Sequence, residues 1–443
     1  MDALLYPEIL TDLPLSVFGR LCNPFLDMRE QGEAWVSTFM RSVPLRRLLL
    51  AGLMAATATV AAQTATAHAA TAPASTAAKI TAAKITGCGP TYTNYSASAT
   101  APWGGSSVPW RSVGTGWLLA TVSAKESGTG PQTLYLVSPG GTRYQLGQAP
   151  AGATLEDWSG ASMDALFLDQ PESGTKAAVS VLNLKTGQAS GFTLYSPLTD
   201  TEISFTHPSA QGILVLASHD SSGGYLPVQR YSLSGARQVC YPNSFRGAGS
   251  GAFEYRESPA GPDLVLQTQN GLEVMSNAGH PVRFLPEPHG YSFCSPLNWW
   301  TSQTILASCS NNNTTLVFAF PLSGAKPTAV TTVRQSATFL GIWRLPSGTY
   351  AQAAACGSSW LERLNANGTA TTLTIPGAAN AGNVAPLGTH GGQLALWVAG
   401  GCDGHTPYSK VDWYNPKTNV ATTVLGASAG GGFVSEAMLF PSS

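Results

Sequence analysis

A recurring hairpin pattern constrains the fold of this chain more than any other feature of its sequence. In residues 155–168, LEDWSGASMDALFL, an extended segment reaches a turn of small residues and an apolar strand leaves it. Related hairpins are RSVGTGWLLATV from Arg111, FTHPSAQGILVLAS from Phe205, YRESPAGPDLVLQT from Tyr255, LNWWTSQTILASCS from Leu297, IWRLPSGTYAQAAA from Ile342 and LGTHGGQLALWVAG from Leu387. Short apolar segments around Gly, Pro, Ser and Asn turns are typical of strands, so the chain is predicted to be all-β.

Each repeat also contains a second hairpin, whose turn recurs at intervals of roughly 44–50 residues, the spacing of propeller repeats. The turns are PGGTR near Gly141, KTGQ near Gly187, LSGAR near Gly235, NAGH near Gly279, LSGAK near Gly324, NANGT near Gly368 and NPKTN near Thr418. A single four-stranded sheet would leave both faces in water, whereas sheets stacked around an axis cover one another. The sequence therefore predicts a β-propeller of about seven four-stranded blades.

Closure of such a ring normally takes strands from both ends of the chain. The C-terminal segment GGGFVSEAMLFPSS is similar to the inner-strand segment ATFLGIWRLPSG. We expect 433–440 to supply the innermost strand of the blade whose other strands lie between Trp117 and Leu146.

The first-hairpin turns SGASMD, PSAQG, PAGPD and PSGT resemble the S-P-D-G-type turn of TolB-like (PD40/WD40-like) propeller repeats, over about residues 110–440. The Asp-Gly pair of that turn is mostly lost, and the Gly-His and Trp-Asp signatures of WD repeats are absent. The resemblance implies a propeller with a face that binds a ligand or a protein.

The N-terminal part of the chain is typical of an export signal. Residues 1–39 are interpreted as a misassigned upstream extension, and 40–69 as a signal peptide with Arg41, Arg46 and Arg47 before an apolar run. The Ala/Thr-rich stretch 70–87 is predicted to be a disordered linker, and 88–443 a single propeller domain. We expect a secreted protein. The alternatives are a membrane anchor, for which the apolar run is short, and a lipid attached at Cys88 in ITGC.

The charge balance argues against nucleic acid as a partner. The chain has 23 Lys+Arg and 24 Asp+Glu, and residues 1–69 hold 5 and 6 of them, so the remainder carries 18 of each sign. A protein without a basic excess lacks the electrostatic attraction on which nucleic-acid binding depends. The expected ligand is a protein, peptide or carbohydrate, and the expected state is a monomer.

Six cysteines follow the predicted signal peptide, and an even number in an exported chain indicates disulfides. Cys294 and Cys309 flank one turn almost symmetrically, which predicts a bond across that hairpin. Cys356 and Cys402 end equivalent strands of successive repeats and are predicted to pair, which leaves Cys88 with Cys240. The spacings offer no metal-binding motif, so neither a metal nor a cofactor is expected.

Six side chains near the ends of the predicted inner strands are candidates for a binding surface at the rim of the central channel. Tryptophan and arginine are enriched at binding hot spots, although packing between blades is the plainer role for the tryptophans. The candidates are Trp158, His207, Glu257, Trp300, Arg344 and His390. Because side chains alternate along a strand, Trp299 and Trp300 must face opposite sides.

The sequence predicts a non-catalytic binding or scaffold module at the cell envelope or outside the cell. The alternative is an extracellular hydrolase or lyase acting on glycans, in which Glu156 or Asp157 pairs with Glu254 or Glu257 from another blade. Loop residues such as His219-Asp220 and Asp403-x-His405 are further hydrolytic or metal-binding candidates.

Overall fold

The computed structural model covers the repeats and describes the chain in segments. The described residues are 91–97, 103–124, 130–170, 176–195, 198–206, 209–219, 228–241, 255–257, 263–268, 270–311, 314–331, 338–355, 358–379, 381–400, 408–426 and 432–440, with the backbone alone at 91–97, 198–200, 217–219 and 255–257. The predicted extension, signal peptide and linker, residues 1–87, lie outside them.

Within these segments the chain is all-β, apart from two short 3-10 turns at Gly104–Ser107 and Trp110–Ser112. The first sixteen strands are β1 Thr91–Ala97, β2 Leu118–Ser123, β3 Gln132–Val137, β4 Arg143–Gln148, β5 Thr154–Ser159, β6 Asp164–Asp169, β7 Lys176–Asn183, β8 Ala189–Tyr195, β9 Leu198–Phe205, β10 Gly212–His219, β11 Gln229–Ser232, β12 Arg237–Cys240, β13 Tyr255–Glu257, β14 Asp263–Thr268, β15 Gly271–Ser276 and β16 Pro281–Pro286. The others are β17 Ser292–Thr301, β18 Thr304–Ser310, β19 Thr315–Pro321, β20 Thr328–Ala329, β21 Thr338–Leu345, β22 Gly348–Ala355, β23 Ser358–Leu364, β24 Ala370–Thr372, β25 Ala381–His390, β26 Gln393–Gly400, β27 Ser409–Asn415, β28 Val420–Gly426 and β29 Phe433–Leu439.

The strands form successive antiparallel sheets, most of them of four strands in chain order. These are β5 to β8, β9 to β12, β13 to β16 and β17 to β20. The strands from β21 to β28 make two further antiparallel sets of four, β21 to β24 and β25 to β28, which meet at one parallel bridge between Ser359 and Asn383. A succession of four-stranded antiparallel sheets, each packed against the next, is the architecture of a β-propeller.

The remaining sheet combines the two ends of the described chain. Its order is β29-β2-β3-β4, and β29 pairs antiparallel with β2 from Leu118↔Leu439 to Ser123↔Phe433. Every residue of β2 is buried, because this strand is covered on both faces and on both edges. No hairpin turn connects the first two strands of this sheet, because β29 comes from the far end of the sequence and β2 from its beginning.

The Ser, Pro and Gly content of the segment from Tyr92 to Trp110 predicts an irregular arm, and the structure differs from that prediction in the first residues of the segment. Residues Thr91–Ala97 form β1, which pairs with β8 over seven residues and adds a fifth strand to the β5–β8 sheet. The prediction of an irregular arm is wrong here, because an open sheet edge supplies hydrogen-bond partners to any extended segment beside it. Farther along, Trp103 packs over Gly147 and Gly187, and its indole N–H donates to the Leu184 carbonyl at 2.9 Å.

The core consists of apolar layers between neighbouring sheets. One layer contains Leu119 of β2, Trp158 of β5 and Phe167 of β6. Another layer joins Leu118 of β2 to Trp397 of β26. Where both faces of a sheet are covered in this way, strands such as β6 and β26 read as nearly continuous apolar runs rather than as an alternation.

Polar side chains also connect two of the inner strands to the next inner strand along the chain. The Asp157 carboxylate on β5 accepts a hydrogen bond from the backbone N–H of Phe205 on β9 at 2.7 Å. The Asn298 amide on β17 makes two bonds to Ile342 of β21, donating to its carbonyl at 2.9 Å and accepting from its N–H at 3.2 Å. These bonds satisfy backbone groups that face a neighbouring sheet, where water is excluded.

One disulfide lies within the described residues. Cys294 of β17 and Cys309 of β18 are bonded, with both side chains buried, which is the pairing that their symmetry about the turn predicts. Cys240 is also disulfide-bonded, to a residue outside the described segments. Cys88, Cys356 and Cys402 lie outside them as well, so the pairs Cys88–Cys240 and Cys356–Cys402 stay predictions.

Candidate functional site

Trp300 and Arg344 are the two predicted site residues that the structure brings together. Trp300 lies near the end of β17, and Arg344 near the end of β21, the first strand of the next sheet. The centre of the Arg344 guanidinium lies 4.0 Å from the centroid of the Trp300 ring. A guanidinium at that distance is attracted by the negative face of the indole. The pair therefore forms a cationic and aromatic surface where two sheets meet.

The neighbouring Trp299 faces the other way. It packs against the layer that contains Phe318 and Phe320, whereas Trp300 packs against the layer that contains Leu306 and Ile342. The alternation of side chains along a strand places them on opposite faces, as the sequence predicts.

A cleft of about 420 Å³ opens beside Trp300, between the β17–β20 sheet and the β21–β24 set. Its lining is mixed, with apolar, hydroxyl, amide and guanidinium groups: Trp300, Val330, Gly348, Thr349, Arg363, Leu364, Asn365 and Ala366. Most of these residues lie at strand ends and in hairpin turns. The cleft volume falls in the range of small-ligand pockets, about 300–1,000 Å³.

Gly348 shapes one wall of the cleft. It begins β22 with φ of 142°, and a Cβ there would lie 3.4 Å from Nε of Arg363. Beside this turn the Arg363 guanidinium donates to the Ser347 carbonyl at 3.4 Å. Sequence reasoning did not select Arg363. The signal available was its place one residue before the end of a strand that precedes the NANGT turn.

The other predicted residues are dispersed. Trp158 is 1% exposed and packs edge-on against Phe440, with ring centroids 5.0 Å apart. The ring of the half-buried His390 lies 5.9 Å from that of Trp413. Glu257 is described in its backbone alone, as part of β13, and His207 lies outside the described segments.

A buried carboxyl group near the start of β5 was not predicted. Glu436 of β29 is 6% exposed and accepts a hydrogen bond from the hydroxyl of Thr121 on β2. Burial is the main cause that raises its pKa from 4.5 to about 8, while the Thr121 hydrogen bond opposes the rise. The neighbouring Glu156 carboxylate repels the charged form and raises the pKa further, and the Leu155 backbone lowers it. Glu436 is therefore mostly protonated at pH 7.

The carboxylate candidates from the sequence are placed differently. Asp157 is engaged by backbone N–H groups, those of Trp158 at 2.7 Å and of Phe205 at 2.7 Å, which is a structural use of its charge. Glu156 accepts a hydrogen bond from the Thr154 hydroxyl at 2.6 Å, and its charge acts on the carboxyl group of Glu436. The side chains of Glu254, Glu257, His219, Asp220, Asp403 and His405 lie outside the described part.

A metal-binding cluster and a helix that could cross a membrane are two features that the described residues lack. Among the described residues, no cluster of three or more His, Cys, Asp or Glu side chains is placed to hold a metal ion. No helix in the described part has the length and apolar character that a membrane crossing requires.

Comparison with known proteins gives a motif and several distant structures. Residues 388–420 match the Kelch motif, and this stretch contains Gly391 and Gly392, both at positive φ in the turn between β25 and β26. No curated protein matches the chain.

Solved structures resemble the chain at low identity. A structure from a study of two prolyl endopeptidases shares 14% identity over 70% of this chain and 48% of its own, with a TM-score of 0.49. The β-propeller domain of the trilobed protease from Pyrococcus furiosus shares 8% over 70% of this chain and 91% of its own, with a TM-score of 0.45. A puromycin-hydrolysing peptidase from Mycobacterium tuberculosis shares 15% over 74% of this chain and 57% of its own, with a TM-score of 0.43. The chain thus spans about half the length of the prolyl endopeptidase structure, and TM-scores below 0.5 carry no functional argument.

Proposed function

We propose that this chain is an exported, non-catalytic β-propeller of seven blades that binds its ligand at the cleft beside Trp300 and Arg344. The observation that carries the proposal is the 4.0 Å stacking of the Arg344 guanidinium on Trp300, a residue that lines a cleft of about 420 Å³. Tryptophan and arginine together supply apolar area, a π face and directed donors, which is why they dominate binding hot spots.

The apolar layers support the proposed number of seven blades and the proposed closure of the ring. Seven apolar layers lie between neighbouring members of the seven four-stranded sets. Each set contributes residues to at least two of these layers. One layer contains residues of β26 and β27 together with residues of β2 and β29, which supports a closed ring. We therefore take β29 as the innermost strand of a closed ring, and we retain the resemblance to TolB-like repeats as part of the proposal.

Export is supported by the predicted signal peptide and by the buried disulfide. A bond between Cys294 and Cys309 persists in an oxidising compartment. Intact-mass measurement of the mature protein tests this part: a start at Ala70 agrees with secretion, and a lipid-modified start at Cys88 would indicate the anchored alternative.

The binding role is tested with Trp300→Ala. We expect that an array of soluble glycans and peptides contains a ligand whose binding to the wild-type chain is at least tenfold tighter than to this variant. The matched control is Trp360→Ala, which removes a half-buried tryptophan that does not line the cleft. A set of ligands whose binding is unaffected by Trp300→Ala would overturn the assignment of the site.

A second candidate function is glycan hydrolysis, favoured by Glu436 and Glu156. A carboxyl group kept protonated near neutral pH beside an ionised one is the arrangement that acid catalysis of glycosidic cleavage uses. The 6% exposure of Glu436 weighs against it, because a sugar would have to reach a side chain between two inner strands. Release of reducing ends from glycans by the wild-type chain, lost in Glu436→Gln, would favour this candidate over the binding module.

A further inference from the structure

The lining of the cleft contains one cationic group, Arg363, and a second, Arg344, stacks on the Trp300 ring that also lines it. The guanidinium groups of Arg344 and Arg363 are both exposed. In the described structure Arg363 makes one hydrogen bond, to the Ser347 carbonyl at 3.4 Å. Arg344 stacks on Trp300 and makes no hydrogen bond or ion pair with the described residues. Since a guanidinium has five N–H donors in a planar fork, most of the donors of this pair remain available to a ligand.

The sequence around the cleft provides almost no acidic group to neutralise them. Between Glu287 and Asp403 there is one acidic residue, Glu362, against four basic ones, Lys326, Arg334, Arg344 and Arg363. The Glu362 side chain is 1% exposed, accepts a hydrogen bond from the indole N–H of Trp360 at 2.8 Å and does not line the cleft. A cleft with cations and without local acids favours an anion, and paired guanidinium donors favour a carboxylate.

The lining of the cleft favours a sugar ring over a peptide. Peptides are bound mainly along exposed strand edges or in long grooves that accept a helix or a Pro-rich segment. The lining here comes from turns and strand ends, and its polar groups include the Thr349 hydroxyl and the Asn365 amide. A hydroxyl and an amide suit the hydroxyl groups of a saccharide, and the indole of Trp300 offers an apolar edge to a ring.

We propose that the cleft formed by Trp300, Thr349, Arg363 and Asn365, with Arg344 stacked on Trp300, binds the uronate residue of an acidic glycan. This assignment rests on the proposed function and adds the ligand class. The carboxylate is placed against the arginine guanidinium groups, and the ring hydroxyl groups lie toward Thr349 and Asn365. Because the attraction is electrostatic at an exposed site, the affinity should fall as salt is raised.

The test is calorimetric titration of the mature, disulfide-bonded chain with trigalacturonate and, as the neutral counterpart, with the galactose trimer. We expect trigalacturonate to bind at least tenfold more tightly than the neutral trimer in 20 mM salt, and about threefold more weakly in 300 mM salt than in 20 mM. Arg363→Gln should weaken trigalacturonate binding at least tenfold. Arg344→Lys keeps the charge but loses the planar fork, so it should weaken binding by a smaller factor than Arg344→Gln.

The matched control is Arg237→Gln, which removes an exposed arginine from β12 in another sheet and should leave the affinity within twofold. Thermal melts of all variants keep a folding defect from being read as a binding defect. Equal affinity for the two trimers, or equal loss in Arg237→Gln and Arg363→Gln, would overturn the uronate assignment.

An acidic peptide that binds in a Trp300-dependent way while trigalacturonate does not would also overturn the uronate assignment, yet would leave the proposed binding module standing. If the proposed binding module is also wrong, no ligand in the array depends on Trp300, and this result differs from a failure of the uronate assignment alone.

Discussion

Glu436 makes the stability of the fold depend on pH in a direction opposite to that of most carboxyl groups. Its pKa is raised from 4.5 to about 8 in the folded chain, chiefly because burial disfavours the charge. Between these values the folded state holds a proton that the unfolded chain has released. The free energy of unfolding contributed by this group is therefore fully present below about pH 4.5 and falls as the pH rises toward 8.

The magnitude follows from the shift. One pKa unit corresponds to about 1.4 kcal/mol, so from pH 5 to pH 7 the wild-type chain should lose about 3 kcal/mol through this group. Glu436→Gln has a similar shape, carries no charge at any pH and retains an acceptor for the Thr121 hydroxyl. Relative to wild type, this variant should gain about 3 kcal/mol of unfolding free energy between pH 5 and pH 7.

The assay is denaturant unfolding followed by tryptophan fluorescence at pH 5, 6, 7 and 8, with the difference between variant and wild type taken at each pH so that other titrating groups cancel. Ser435→Ala, at the next position of β29, introduces no titration change and should keep the wild-type pH dependence. A difference between Glu436→Gln and wild type that stays constant within about 0.5 kcal/mol from pH 5 to pH 8 would refute the reasoning, since such a carboxyl group would not retain its proton on folding.

Three further predictions concern stability. Asn298→Leu keeps the side-chain volume but leaves the Ile342 N–H and carbonyl without their partners, so it should lower the unfolding free energy by about 2–4 kcal/mol in urea titrations. The control is Asn365→Ala, which changes an exposed side chain. Equal losses in the two variants would contradict the role of the Asn298 amide. Replacing both Cys294 and Cys309 by Ala removes a bond that closes a loop of 15 residues, so the unfolding free energy should fall by about 3 kcal/mol, and a loss that matches that of Ser308→Ala would contradict this. Gly116→Ala puts a Cβ at φ of 88° and 2.5 Å from the His390 ring, which should lower the melting temperature by several degrees, whereas Gly114→Ala, where a Cβ meets nothing within 4 Å, should leave it almost unchanged.

The sequence predicts those parts of the fold that depend on local pattern. The turns of small residues mark the hairpins, the symmetry of Cys294 and Cys309 about one turn predicts their bond, and strand alternation separates Trp299 from Trp300. Each of these inferences uses residues that are close in the chain and therefore adjacent on one hairpin.

The rest depends on contacts between distant residues. Glu436 is 315 positions from Thr121, and nothing in FVSEAMLF shows that its carboxyl group is enclosed between two inner strands. Asp157, a catalytic candidate from the sequence, is held by the N–H of Phe205, 48 positions away. Arg363 lines the cleft together with Trp300, which belongs to the preceding sheet. Side-chain environment at a junction of sheets is set by packing, which composition and period do not encode.

The strand β1 has a consequence for the behaviour of the protein in concentrated solution. It runs along β8, from Thr91↔Tyr195 to Ala97↔Ala189, and occupies the N–H and carbonyl groups that an outermost strand would otherwise present to other molecules. Free strand edges are the usual starting points of β-type self-association. A variant shortened to begin at Trp103 should retain the sheets yet show faster light-scattering growth at high protein concentration, because a second molecule can then add its own strand to β8.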